Sequence, residues 1–491
     1  MAYNLIACDR SQQFLLPPSL DEWLPQGHLA RFIVEVVEQL DLAAFYRSRR
    51  DDGWGRAAYD PKMMVALLLY AYASGVRSAR AIERRCKEDI AFRFITANQC
   101  PDHATIARFR ANDPGLLADL FVQGLRLCAE AGLVKVGLVA LDSKRVKADA
   151  SMSANKTRKR SEDEVEEMLA EAAAIDEQED ASLGERSGDE LPESLRDPRS
   201  RRARLQEARE RIDQEERYRR AAYDQHLKDR EAKELKAGRR LTGRKPKPPD
   251  PVDKLPVNIT DPDSRIMKTQ QGFIQGYNGQ AMVTENQIVI ACDLSNDNND
   301  NDHLHPMIEQ AHANLEAAGV TDRIGVLLAD AGYYSETNVT KEGEHLPELL
   351  IATTKDFRQR EAAQSHPPRG RIPKHLSTMQ RMERKLRTKR GQRLYRKRSQ
   401  TVEPVFGQHD TRGLGRLHRR RLEPCRSEWI VENTAHNLLK LWRSGRSVGS
   451  DRLPQVSGRS LGPRQHRDRP PAHRRRPPLR CSRHQWGFLG F

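Results

Sequence analysis

The sequence predicts an α/β chain: a mixed sheet with covering helices, preceded by an all-α N-terminal region (1–133) and interrupted by a charged helical insertion (156–250). Three observations lead there. Apolar residues up to 133 recur with a helical period. From 134 onward, short apolar runs appear, bounded by charges and turn residues, as buried strands require. Residues 156–250 are rich in Glu, Arg, Lys and Ala with a thin apolar stripe, as in "EDEVEEMLAEAAAIDEQED" and "SRRARLQEARERIDQEERYRR".

Within the N-terminal region, "DPKMMVALLLYAYASG" is apolar all round, which suits a buried helix closed by Gly75. "SARAIERRCKEDIAFRFI" places Ser78 as N-cap and turns Arg80, Arg84, Arg85 and Lys87 to one exposed face. Asp102 caps the next helix, "HATIARFRANDPGLLADLFVQGL". Short basic helices joined by a tight turn match a helix-turn-helix DNA reader and, equally well, an all-helical packing domain.

"VKVGLVALD" then fits a central strand. The insertion is a helical hairpin or a solvated charged arm, ending in "RKPKPPDP". Beyond it, "GFIQGYNGQAMVTENQIVIACDLSN" reads as a hairpin turning at "TENQ". "DHLHPMIEQAHANLEAAG" is a helix with Asp302 at its N-cap and Gly319 after its end. "RIGVLLADAGYYS" and "ELLIATT" are further buried strands, and 379–400 is a basic helix. Hairpin and crossover units in that order give a mixed sheet covered by helices.

The net charge of +15 favours nucleic acid or another anionic surface as partner. No apolar run is long enough for a bilayer and the opening "MAYNLIACDRSQQ" has no apolar signal core, so a cytoplasmic protein is expected. The seven cysteines include no Cys-x-x-Cys pair; Cys86, Cys100 and Cys128 read as packing residues, and "CPDH" offers two zinc ligands where structural zinc takes four. "DNNDNDHLH" lacks the glycine and the closing glutamate of a calcium loop.

Three acids could do chemistry. Asp142 ends the first strand, Asp330 ends the fourth, and Glu403 lies on a late, strongly basic helix, "YRKRSQTVEPVFGQHD". Strand ends on one edge of an α/β sheet share a crevice. Singly, each acid has an ordinary reading, as turn residue or surface ion pair. Jointly they would repel at short range, and divalent cations remove that conflict. Asp293 is the reserve for Asp142. Pro404 should kink or restart the helix bearing Glu403.

These stretches resemble the DDE transposases of bacterial insertion sequences. "LDSKRVKADAS" is similar to the first-acid strand, "GVLLADAGYYSE" to the second with its Asp-Ala-Gly-Tyr turn, and Tyr395, Arg398 and Glu403 to the third-acid helix. "YDPKMMVALLLYAYASGVRSARAIERRC" and "PDHATIARFR" are similar to the amino-terminal domain of that branch; the likeness runs over about residues 15–443. It implies a ribonuclease H-like catalytic domain (134–443) after a DNA-binding one (1–133), acting on double-stranded DNA as element ends and target, as a homo-oligomer on DNA in the cytoplasm at the nucleoid. Asp142, Asp330 and Glu403 would hold two Mg²⁺ ions, with Mn²⁺ as a substitute. Tyr395, Arg398, Lys144, Arg80 and Arg84 would contact or support DNA.

Two features depart from the family. Where it usually has Lys seven residues after the Glu, Asp410 stands. From 444 to 491 the chain holds many Arg and Pro and no Lys, which reads as translation out of frame or as a disordered basic tail that binds nucleic acid. Both leave room for a second reading, a catalytically inactive remnant that still binds DNA.

Overall fold

A computed structural model of the chain describes residues 19–47, 58–111, 114–157, 198–240, 245–248, 256–341, 346–354 and 375–446, with isolated positions from 358 to 373. The insertion's 158–197 and the tail from 447 onward lie outside the described residues.

The N-terminal region is helical: α1 (Leu20–Trp23), α2 (Leu29–Glu38), α3 (Ala43–Arg47), α4 (Pro61–Ala73), α5 (Ala79–Glu88), α6 (Ile90–Ile95), α7 (His103–Ala111) and α8 (Pro114–Glu130). α4 is the buried helix that its apolar circumference predicts. Asp60 caps it by accepting from the Lys62 amide, Pro61 sits in the first turn where its missing N–H costs nothing, and nearly every residue is buried. Gly75 closes it at φ +79°; a Cβ there would lie 2.4 Å from the Arg412 carbonyl oxygen, so glycine is required twice over. On α5, Ile82 and Cys86 are buried while Arg80, Arg84, Arg85 and Lys87 face outward. Asp102 caps α7 as expected, through the Thr105 amide at 2.8 Å, whereas Ser78 occupies the N-cap of α5 without a side-chain bond.

The strands are β1 (Leu138–Lys147), β2 (Asn155–Lys156), β3 (Val257–Asn258), β4 (Arg265–Thr269), β5 (Gly272–Thr284), β6 (Val289–Ser295), β7 (Val326–Ala329) and β8 (Glu348–Ile351). β2 and β3 form a small separate ladder. In the main sheet β1 is central: antiparallel to the long β5 on one side and parallel to β7, then β8, on the other. β5 carries β4 along its first half and β6 along its second, the latter being the expected hairpin across "TENQ". The sheet is therefore mixed, and the chain is α/β.

The remaining helices are α9 (Pro198–Ala237), α10 (Leu304–Ala317), α11 (Glu336–Thr340), α12 (Thr378–Arg387), α13 (Lys389–Tyr395), α14 (Lys397–Thr411) and α15 (Leu422–Arg443). α15 lies against α8, α4 and β6, so one continuous apolar core runs from Leu24 through Val139 and Leu327 to Leu441. Asn437 of α15 accepts from the Val289 amide and donates to its carbonyl, serving backbone groups next to the irregularity in the β5–β6 ladder. α9, about 60 Å long at 1.5 Å per residue, is tied down by Ile212 packing on Val257 and by ion pairs of Arg211 with Asp263 and Glu215 with Arg265.

Three local expectations change. Asp142 does not end its strand, because β1 continues to Lys147 along β5; what ends at Leu141 is the parallel pairing with β7. Asp302 does not cap α10, because Asn301–His303 coil into a 3₁₀ turn that leaves His303 at the helix start. α14 runs unbroken through Pro404. The proline donates no hydrogen bond to the Gln400 carbonyl, and the side chain of Gln287 donates to that oxygen instead, at 3.5 Å.

Candidate active site

The site forms where β1 and β7 part. Leu141 and Ala329 are the last residues paired between β1 and β7, strands that neighbour at about 4.8 Å up to there, and Asp142 and Asp330 are the next residue on each. Asp142 is held by its own strand and accepts from the Ser143 amide at 2.8 Å. Asp330 turns out of β7 and accepts from the Gly332 amide at 2.9 Å, capping the 3₁₀ turn of "DAGY". A side chain at Gly332 would crowd both Asp330 Oδ1 and Asp300 Oδ2, within about 3.2 Å.

α14 crosses β1 above this edge. Side chains alternate along the strand, so Asp142 and Lys144 point the same way, toward α14. Arg398 Nη1 donates to Asp142 Oδ2 at 2.7 Å, and its Nη2 lies 3.8 Å from Glu403 Oε1. Arg398 is buried; Glu403 has a side chain 58% exposed. Burial, with the Asp330 charge adding to it and Arg398 opposing it, pushes Asp142 up to about 6. Such an acid is poised for a cation or a proton.

The other predicted residues divide in two. Tyr395 is buried and its hydroxyl donates to the Ala329 carbonyl at 3.2 Å, which anchors α13 to the residue before Asp330. Lys144 donates to the carboxylate of Asp410 and, at 3.3 Å, to the Phe406 carbonyl. The charge reversal at 410 is thus met from β1: the acid on the helix faces a lysine on the strand. Arg80 and Arg84 are exposed on α5. Asp293, the reserve acid, ion-pairs with Arg426 at 2.7 Å.

A supporting network on the opposite side of β1 went unread in the sequence. Arg145 binds Asp300 at 3.3 Å and the side chain of Asn278; Asn278 and Gln280 both donate to Asp300; the Tyr333 hydroxyl donates to Gln280. Burial would raise Asp300, but Arg145 and the two amides hold it below the usual carboxylate range. This cluster ties β1 and β5 to the turn that carries Asp330. Its signal was present as polar Asn278 and Gln280 alternating inside a strand otherwise fit for a core.

The donor set suits a hard divalent ion in its chemistry: carboxylate oxygens, two of them on adjacent strands. Among the described residues no three His, Cys, Asp or Glu side chains are gathered closely enough to hold a metal. A guanidinium lies between two of the acids, 2.7 Å from Asp142 and 3.8 Å from Glu403.

Comparison with known families decides the identity. Residues 18–112 match the family described as Transposase domain (DUF772), and residues 246–438 match Transposase DDE domain. The chain belongs to the DDE transposases of insertion elements. As a DDE transposase it belongs to a family whose general activity is nuclease and transesterase chemistry on DNA. The two matches together cover more than half of this transposase, with Asp330 and Glu403 inside the second and Asp142 between them. No curated protein and no solved structure matches it. Among its described residues, no helix is long and apolar enough to cross a membrane.

Proposed function

We propose that this transposase cuts DNA at the ends of its element and joins the freed 3′-hydroxyl to target DNA, with Asp142, Asp330 and Glu403 as the catalytic acids. The observation that carries the proposal is that Asp142 and Asp330 each follow the last paired residues of β1 and β7, Leu141 and Ala329, beneath a helix that brings Arg398 and Glu403 to the same edge. The strand order, antiparallel through β6, β5 and β1 and then parallel through β7 and β8, supports a ribonuclease H-like catalytic domain.

Asp142 and Asp330 would hold Mg²⁺, or Mn²⁺ in its place, with Glu403 completing the set. Two such ions would activate the attacking oxygen and stabilise the leaving one in an in-line displacement. The chain's own groups do the rest. Asp330 is fixed by the Gly332 amide and by Tyr395 on the preceding carbonyl. Arg398, buried, neutralises Asp142 and would add its charge to the field that a phosphate meets at this edge. Lys144 adds a second cation two residues along β1. The outward arginines of α5 fit phosphate contacts in an N-terminal DNA-binding region, which makes binding fall steeply with salt. A homo-oligomer on double-stranded DNA at the nucleoid goes with this reading.

The reading as an inactive remnant draws on Asp410, where a cation is usual; Lys144 weakens that objection. A cleavage assay on end-sequence DNA with Mg²⁺ separates the two. Nicked and strand-transfer products are expected from the native protein and neither from Asp330→Asn. Binding without any nicking by the native protein would sink the enzyme reading.

A further inference from the structure

A groove of about 590 Å³ lies at the far end of β1, within the roughly 300–1,000 Å³ typical of small-ligand sites. Its walls carry Lys147, Arg416, Arg420, Asp149, Met152 and Phe273. Two features are unusual together. Phe273, at the start of β5, is 61% exposed, and Met152, which lines the same groove, is 44% exposed, so an aromatic ring and a thioether stand open to solvent. Around them the charge is cationic: Arg416 and Arg420 share the single carboxylate of Asp149, each at 3.1 Å, and Lys147 adds another positive charge.

The groove is built into the catalytic frame. Leu417 donates to the Lys147 carbonyl at 2.8 Å, and Ala148 to the Gln275 carbonyl at 2.9 Å, so its floor continues β1 and β5. Lys147 is five residues beyond Asp142, about 17 Å at 3.3 Å per residue. That is a few nucleotides along a DNA strand engaged at the acid pair, at about 3.4 Å per step.

We propose that this groove takes unpaired nucleotides of the DNA substrate, with Phe273 stacking on a base and Arg416, Arg420 and Lys147 facing its phosphates. It rests on the transposase reading. Bases inside a duplex already have both faces stacked, so away from a duplex end an exposed aromatic side chain gains a stacking partner from DNA only where a base is unpaired. The surplus of cations over Asp149 selects a polyanion rather than an apolar peptide. Met152 widens the apolar platform without fixing sequence, since every base presents a face.

The test is fluorescence anisotropy of the full chain with a blunt end-sequence duplex and with the same duplex bearing a five-thymidine overhang. The native protein should bind the overhang form more tightly, and Phe273→Ala should remove about tenfold of that preference while leaving the blunt duplex unchanged. Phe273→Trp should keep the preference. Arg420→Gln should weaken overhang binding and lower its salt slope by about one. Phe273 is exposed at a strand start, so its variants are expected to fold, as thermal unfolding would verify. If Phe273→Ala binds both DNAs as the native protein does, or weakens both equally, the groove is not a base site, although the transposase reading stands. A native protein that binds no DNA in either form overturns both.

Discussion

Replacing Arg398 by methionine tests the electrostatics of the acid pair directly. The guanidinium and Asp142 are 2.7 Å apart, with side chains 10% and 17% exposed. Charge centres about 4 Å apart in an effective dielectric near 20 attract by about 4 kcal/mol. Removing one partner of a buried pair costs about 3–5 kcal/mol, because the other is left charged and dry. Because the stranded carboxyl can protonate instead, at about 1.4 kcal/mol per pH unit above 6, Arg398→Met should lower the unfolding free energy by about 1 kcal/mol near pH 7 and by about 2–3 kcal/mol near pH 8, measured by urea unfolding in the presence of a chelator. Glu403→Gln, at an exposed acid 3.8 Å from the guanidinium, should cost under about 1 kcal/mol.

Folding raises Asp142 from 3.8 to about 6, so its ionisation burdens the fold; that burden is absent below about pH 4 and grows as pH rises through 6. Without Arg398 the acid has lost its main compensation, and the deficit of the variant should be small near pH 4.5 and largest near pH 8. Adding Asp142→Asn should recover much of the loss, since neither charge then remains alone. A deficit under about 1 kcal/mol near pH 8, or one that does not shrink on acidification, refutes the reasoning.

Other outcomes are expected from the same geometry. Mg²⁺ should stabilise Arg398→Met more than the native protein in thermal scans, because the acids lack their internal cation; at a hundredfold excess over Kd the gain is about 2.7 kcal/mol, and equal shifts would count against the site. Asp410→Asn should free Lys144 for phosphate, raising DNA affinity several-fold at low salt and steepening the salt slope by about one in anisotropy titrations. Gly75→Ala should lower stability by more than about 1 kcal/mol, since it combines a positive φ with a clash against the Arg412 carbonyl, and a Tm drop should register it. There the buried Arg77 reaches both the Arg412 carbonyl and Glu432, so the same change should disturb the end of α14 as well.

What the sequence determined by itself was local. The all-round apolar α4 with its closing Gly75, the "TENQ" hairpin and the apolar runs of β1 and β7 were legible, because propensity, apolar patterning and turn chemistry act between near neighbours. Tertiary structure decided the rest. Whether Asp142 ends a strand depends on which neighbour is asked, since β5 continues beside it and β7 does not. Pro404 stands inside a helix, and Gln287, more than a hundred residues away, brings a donor within 3.5 Å of the spared carbonyl. Asp410 ceases to be an anomaly once Lys144 lies against it. That Arg398 rather than a third carboxylate borders Asp142 could be read from no spacing, because a buried charge is placed by the partners that offset its desolvation, and those arrive from distant parts of the chain.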